Sequence, residues 1–133
     1  MPPMRTQLLV LLLPTLVLAA CASGPPARRS ASRTTCVNTA EINVMRPLDD
    51  RHVFVRLGAN HNYLFTMDPC QGLSLARKLA VWEATSRVCA DGVSLLSFEE
   101  PTVGEMRCRI SKIDPVADME AALELIRAEG PSK

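Results

Sequence analysis

Apolar positions along this chain fall into three regimes. From Leu8 to Leu18 they run almost unbroken, interrupted only by Pro14 and Thr15. From Ile42 to Ile110 they come in short bursts that alternate with polar residues, the period of strands whose successive side chains point to opposite faces. From Val116 onward they recur at spacings of three and four, the period of a helix with one apolar stripe.

The middle regime predicts strands. Ile42 and Val44 mark a short one, stopped by Pro47 and the turn-prone Asp49-Asp50. Val53, Val55 and Leu57 alternate with His52, Phe54 and Arg56, which predicts a half-buried strand. Tyr63, Phe65 and Met67 alternate with Leu64 and Thr66 on the far side of Gly58-Ala59-Asn60. These two runs predict a β-hairpin with a loop of about three to five residues, ended by Asp68-Pro69. Leu73 to Leu79 fits a helical turn or an irregular crossing. Val81-Trp82-Glu83-Ala84 reads as a further strand, Cys89-Ala90-Asp91-Gly92 as a turn, and Val93 to Phe98 as a strand apolar on both faces, hence central. After Glu99-Glu100-Pro101 and a loop with Gly104, Met106, Cys108 and Ile110 face one way while Glu105, Arg107 and Arg109 face the other.

The last regime predicts a helix over 115–129. Asp114 is positioned to cap it, Pro115 suits its first position, and Gly130-Pro131 stops it. Val116, Met119, Leu123 and Ile126 form the stripe, expected to cover one face or open end of the sheet, and Asp118, Glu120, Glu124 and Glu129 make the opposite face acidic. The fold class expected is α+β. It is a small twisted antiparallel sheet or partial barrel of about five or six strands with one C-terminal helix, spanning 36–130 as a single domain.

The first regime is too short for the roughly 20 apolar residues that a membrane-spanning helix needs, and it contains a proline. Preceded by Arg5 and closing on small residues, it has the layout of a secretory signal, 1–20. Its ending, Leu18-Ala19-Ala20-Cys21, resembles the lipobox of bacterial lipoproteins. That resemblance implies cleavage before Cys21, lipidation of Cys21 with three chains, palmitate among them, and, with Ala22 rather than Asp next, an outer-membrane anchor. Two or more chains hold a protein stably, since each buried methylene contributes about 0.8 kcal/mol. The following stretch to Thr35 carries Gly, two prolines, serines and Arg28, Arg29 and Arg33 but nothing large and apolar, so 21–35 is expected to be a flexible tether.

Cysteine usage supports export. Beyond Cys21 there are Cys36, Cys70, Cys89 and Cys108, an even set that reads as two disulfides with three possible pairings. Sequence alone does not separate them; the set expected here is Cys36 with Cys108, which ties the ends of the folded part together and closes a loop worth about 4 kcal/mol, and Cys70 with Cys89, worth about 3. No two of these cysteines are close in sequence. Zinc sites and redox pairs both draw on CxxC spacing, so neither a metal nor a cofactor is expected. A net charge of +1 removes the electrostatic basis for nucleic-acid binding.

Candidate chemistry is sparse. The polar candidates are Asp49, Asp50, His52, His61, Asp68 and Asp91, without a GxSxG or HExxH motif among them. If the strands pair about Gly58 to Asn60, His52 and His61 could approach each other and, with Asp50, form a metal-binding or hydrolytic cluster. The plainer reading places His61 in a polar turn between Asn60 and Asn62.

Cys36, Ile42, Asp49-Asp50, Tyr63-Leu64, Cys70-Gln71-Gly72-Leu73, Val88-Cys89-Ala90-Asp91, Cys108-Arg109-Ile110 and Ile113 form a pattern. It resembles that of an uncharacterised family of small four-cysteine proteobacterial lipoproteins. The resemblance implies an envelope location and a four-cysteine framework, and supplies no activity. The function expected is therefore a non-enzymatic interaction or structural module, anchored to the outer membrane through Cys21, facing the periplasm, with an envelope protein as partner. A domain holding a lipid or another apolar ligand in a barrel mouth is the alternative, against which stand only five aromatic residues in the whole chain.

Overall fold

The computed structural model describes residues 35–130, which belong to one compact unit extending over 32–133. The leader, Cys21 and all of the tether before Thr35 lie outside the described residues. The strands are β1 (Cys36–Asn38), β2 (Ile42–Pro47), β3 (His52–Leu57), β4 (His61–Met67), β5 (Leu79–Trp82), β6 (Arg87–Cys89), β7 (Leu95–Glu100) and β8 (Gly104–Val116). Single 3-10 turns occupy Thr39–Glu41 and Leu73–Leu75, and helix α1 is Met119–Glu129.

Six strands form a nearly closed antiparallel sheet in the order β2-β3-β4-β8-β7-β5, while β1 and β6 pair as a separate two-stranded ribbon. The long strand β8 makes the curvature possible. Its first half pairs with β7 from Gly104 to Arg109, and its second half with β4 from Ile110 to Val116. Between them the register shifts, because Thr66 faces Lys112 and Met67 faces Ile110, leaving Ser111 extra. Such a bulge bends a strand and increases its twist, and the Ser111 hydroxyl secures this one by donating to the Thr66 carbonyl at 3.0 Å.

Alternation then sorts the side chains. Val53, Val55, Leu57, Phe65, Met67, Leu96, Phe98, Cys108, Ile110 and Ile113 fill the concave side, with Leu73 closing it from the 3-10 turn and Val37 and Val88 from the ribbon. The expected half-buried β3 is covered on both faces, since Phe54 and Leu64 point outward and are buried under α1 with Ala122, flanked by Leu48, Val116, Met119 and Ile126. The helix thus covers one face of the sheet. Its buried contact centres on Ala122, between Met119 and Ile126.

Three local expectations are corrected. The helix begins four residues later than predicted: Asp114 and Pro115 remain in β8, opposite Leu64 and Tyr63, and the cap is Asp118, whose carboxylate accepts from the Ala121 N–H at 2.8 Å. Beyond Arg109, β8 pairs with β4 alone among the described strands, so one side is open and a proline is tolerated there. Strand β7 starts at Leu95 because Asp91 accepts from the Val93 and Ser94 N–H groups and turns the chain; Val93 is left 74% exposed. Strand β5 is displaced toward the N-terminus, with Glu83 and Ala84 beyond it.

The disulfide pairing is also different. The bonds are Cys36–Cys89, with Cα atoms 4.1 Å apart, and Cys70–Cys108, at 6.0 Å. Cys36 and Cys89 are directly opposed in the ribbon, and Cys108 lies on the concave side of β8, where the chain after β4 brings buried Cys70. Strand register decides the first pairing. Loop entropy does not oppose it: separations of 53 and 38 are each worth about 4 kcal/mol in the loop-closure model, together as much as the expected set.

Candidate functional site

Asp49, Asp50 and His52 sit on the turn between β2 and β3, and this turn acts well beyond itself. Asp49 Oδ1 accepts from the N–H groups of Arg51 and His52 at 2.7 and 2.8 Å, closing the turn locally. The Asp50 carboxylate accepts from the Ser74 hydroxyl at 2.6 Å and the Ser74 N–H at 3.0 Å, pinning the 3-10 turn that carries Leu73 into the core. Those bonds, the hydroxyl first, hold the Asp50 carboxyl below its ordinary value.

His52 is 6% exposed, on the outer face beneath the end of α1. Its Nδ1 contacts Asp49 Oδ2 at 2.8 Å, and its Nε2 lies 3.4 Å from Glu129 Oε2. The other Glu129 oxygen is 3.4 Å from Lys112 Nζ, which also reaches Asp114 at 3.0 Å. The Asp114 carboxylate, followed by Glu129, raises the Lys112 pKa. The result is a chain of polar contacts, Asp49–His52–Glu129–Lys112–Asp114, that ties the helix terminus to two strands, β3 and β8, and to the β2–β3 turn. Thr66 lies opposite both His52 and Lys112 in the register. Acid, imidazole and hydroxyl are therefore neighbours here, but His52 is buried and lines none of the described clefts.

The two histidines are not brought together. His52 faces Thr66 at one end of the hairpin, whereas His61 faces Leu57 at the other. Five strand positions separate their levels, roughly 16 Å, and they lie on opposite faces of the sheet. Asp50 is engaged by Ser74. Among the described residues no group of three or more His, Cys, Asp or Glu is placed to hold a metal ion. Asp68 is exposed after β4, and its N–H donates to the Arg109 carbonyl at 3.0 Å. Asp91 caps the turn before β7, and the Val93 N–H holds its carboxyl below the ordinary value.

Two surface features were not singled out as sites by sequence patterning. The outer face of β5, β7 and the first half of β8 lies away from the strands that carry the helix. Opposed residues share a face, so Trp82, Leu95 and Arg109 form one row and Ala80, Ser97 and Arg107 the next. Trp82 is 56% exposed on strand β5, at the end of the sheet order, and the Arg107 guanidinium carbon stands 4.6 Å from its ring centroid. The small Ala80 and Ser97 leave a shallow depression of about 340 Å³ beside it, bounded by Lys78, Glu99 and Glu105. The alternation in β8 places Arg107 and Arg109 on one face, but Trp82 is separated from them in sequence and joins them only through β7.

The second feature is a cleft of about 490 Å³ at the mouth of the curved sheet, between the ribbon and the β3–β4 turn. Val37 and Leu57 supply apolar walls, and Glu41, His61, Tyr63 and Arg87 supply polar ones. Behind it the concave side is packed with Val55, Phe65 and Leu96, all at 0% exposure, so the mouth opens onto no apolar lumen.

No curated protein and no solved structure matches the chain. A family model does match, over residues 4–130, an extent that takes in the helix as well as the four cysteines. The chain belongs to the family of unknown function DUF6491.

Proposed function

We propose that this protein is a non-enzymatic interaction module of the bacterial envelope, anchored in the outer membrane through lipidated Cys21 and presenting its folded domain to a protein partner in the periplasm. The observation that carries the reading is Trp82. A large aromatic residue left 56% exposed on a strand at the end of the sheet order, with Arg107 against its ring and Arg109 two strands across in the same row, has the composition of an interface centre, where Trp and Arg are enriched. Arg107 already holds the Glu105 carboxylate at 3.1 Å, so Arg109, which has no ion-pair partner among the described residues, is the cation left to meet a carboxylate of the partner. The edge itself is guarded by Arg77 and Lys78 and is only four residues long, so side chains rather than strand addition would make the contact.

The alternative, an apolar ligand held in the barrel mouth, finds less support, because core side chains occupy the concave side. A hydrolytic or metal-binding role finds less still, with His52 buried and distant from His61.

The test is site-specific photocross-linking in intact cells with the probe at position 82 or, for comparison, at Glu124 on the helix. The reading expects a discrete, reproducible product from position 82 that weakens at least fivefold with Arg107→Glu and is absent from position 124. Products from 124 alone, or products indifferent to Arg107, would overturn it. Palmitate labelling of the native chain and of Cys21→Ser examines the anchor separately; label retained by Cys21→Ser would remove it.

A further inference from the structure

The cleft at the mouth holds two opposite charges that do not neutralise each other. Arg87 and Glu41 both line it, yet Arg87 has no ion-pair partner among the described residues, and Glu41 is engaged by a neutral group, the Asn38 amide at 3.1 Å. Separate elements hold the two apart: Glu41 ends the 3-10 turn after β1, and Arg87 opens β6. The Cys36–Cys89 disulfide locks those two strands in register, so the separation is built into the ribbon.

The floor adds hydrogen-bonding capacity. Tyr63 and His61 lie opposite Val55 and Leu57, which places them on the core side of β4 at its open end. The Tyr63 ring packs against the core, and neither its hydroxyl nor the His61 imidazole has a partner among the described residues. Val37 and Leu57 complete the walls. The volume, about 490 Å³, falls within the range of roughly 300–1,000 Å³ found for small-molecule sites.

We propose that this cleft binds a short zwitterionic ligand, an amino acid or small peptide, whose carboxylate pairs with Arg87 and whose ammonium pairs with Glu41. A planar guanidinium takes a carboxylate in two parallel hydrogen bonds, and Glu41 accepts from an ammonium. Tyr63 and His61 contact the peptide groups between the termini, and small apolar side chains rest on Val37 and Leu57. A ligand with a single charge would leave the other residue of the pair uncompensated, which makes the site selective for the doubly charged class. This inference is independent of the Trp82 face, on the opposite side of the sheet from the concave core.

The experiment is an NMR titration of the full chain in detergent micelles with alanine, dialanine and trialanine, each also as the N-acetyl and the C-terminal amide derivative. Saturable shifts centred on Glu41, His61, Tyr63 and Arg87 are expected for at least one free zwitterion. Acetylation or amidation should each weaken binding at least fivefold. Arg87→Gln should do the same for the free peptide and make amidation inconsequential, and Glu41→Gln should do so for acetylation; both side chains are exposed, and an unchanged Tm confirms the fold. Saturation by alanine as readily as by trialanine identifies free amino acids as the source, and saturation by trialanine alone identifies peptide. No saturable shift with any of the three, or binding indifferent to Arg87→Gln, overturns the proposal.

Discussion

Glu129, the last residue of the helix, places Oε2 3.4 Å from His52 Nε2, the buried imidazole at the start of β3. A carboxylate at a helix C-terminus is unfavourable against the macrodipole, so this one depends on His52 and Lys112 to hold it. Single substitutions mix those opposing effects. The informative measurement is a double-mutant cycle, Glu129→Gln with His52→Gln, followed by urea denaturation. A coupling of about 0.5–1 kcal/mol is expected, as for a partly exposed ion pair; zero coupling would reduce the contact to mere proximity.

Asp118, not Asp114, starts the helix. Asp118→Ala should cost about 1 kcal/mol, lowering Tm by roughly 4–8 °C for a domain of this size. Asp114→Ala removes only a half-exposed contact to Lys112 and should stay within about 0.5 kcal/mol. Equal losses from the two variants would restore the earlier helix start.

Asp50 makes stability depend on acid pH. Ser74 holds its folded-state carboxyl below the ordinary value, so the unfolded chain takes up the proton more readily. The contribution is present in full above the ordinary carboxylate range, near 3.8, and is lost as pH falls through the lower folded value. Asp50→Asn should therefore be less stable than the native chain above about pH 5, with the difference closing toward pH 2. Denaturation midpoints across that range measure it, and a constant difference would show that ionisation of Asp50 is irrelevant.

The two disulfides should differ in worth although their loop entropies are alike. Cys70–Cys108 is buried in the main core, whereas Cys36–Cys89 is half-buried in the ribbon. Replacing the buried pair by serines adds hydroxyls that the core must desolvate, and should cost about 3–5 kcal/mol against about 2–3 for the other. Peptide mapping without reduction should recover 36 joined to 89 and 70 joined to 108.

Much of this was legible in local pattern. Val53 to Met67 announced a hairpin because alternation and a Gly-containing turn are local signals, and the three residues between Leu57 and His61 match the expected loop. Met106, Cys108 and Ile110 were correctly placed on one face, since period two needs no partner to be read. The helix was legible as a helix. Its start was not, because Asp114 and Pro115 have the chemistry of a cap and first turn and only pairing with β4 holds them extended.

The sequence by itself determined that the folded part is a small antiparallel sheet with one terminal helix, because period two, period 3.6 and glycine-marked turns are properties of neighbouring residues. The tertiary structure alone decided which cysteines join, that Phe54 and Leu64 need the helix over them, that His52 and His61 stand at opposite ends, and that Trp82 meets Arg107. Each of these depends on strand register and order. A partner's identity in a sheet is set by chain returns tens of residues long, and no local pattern encodes where those returns come to rest.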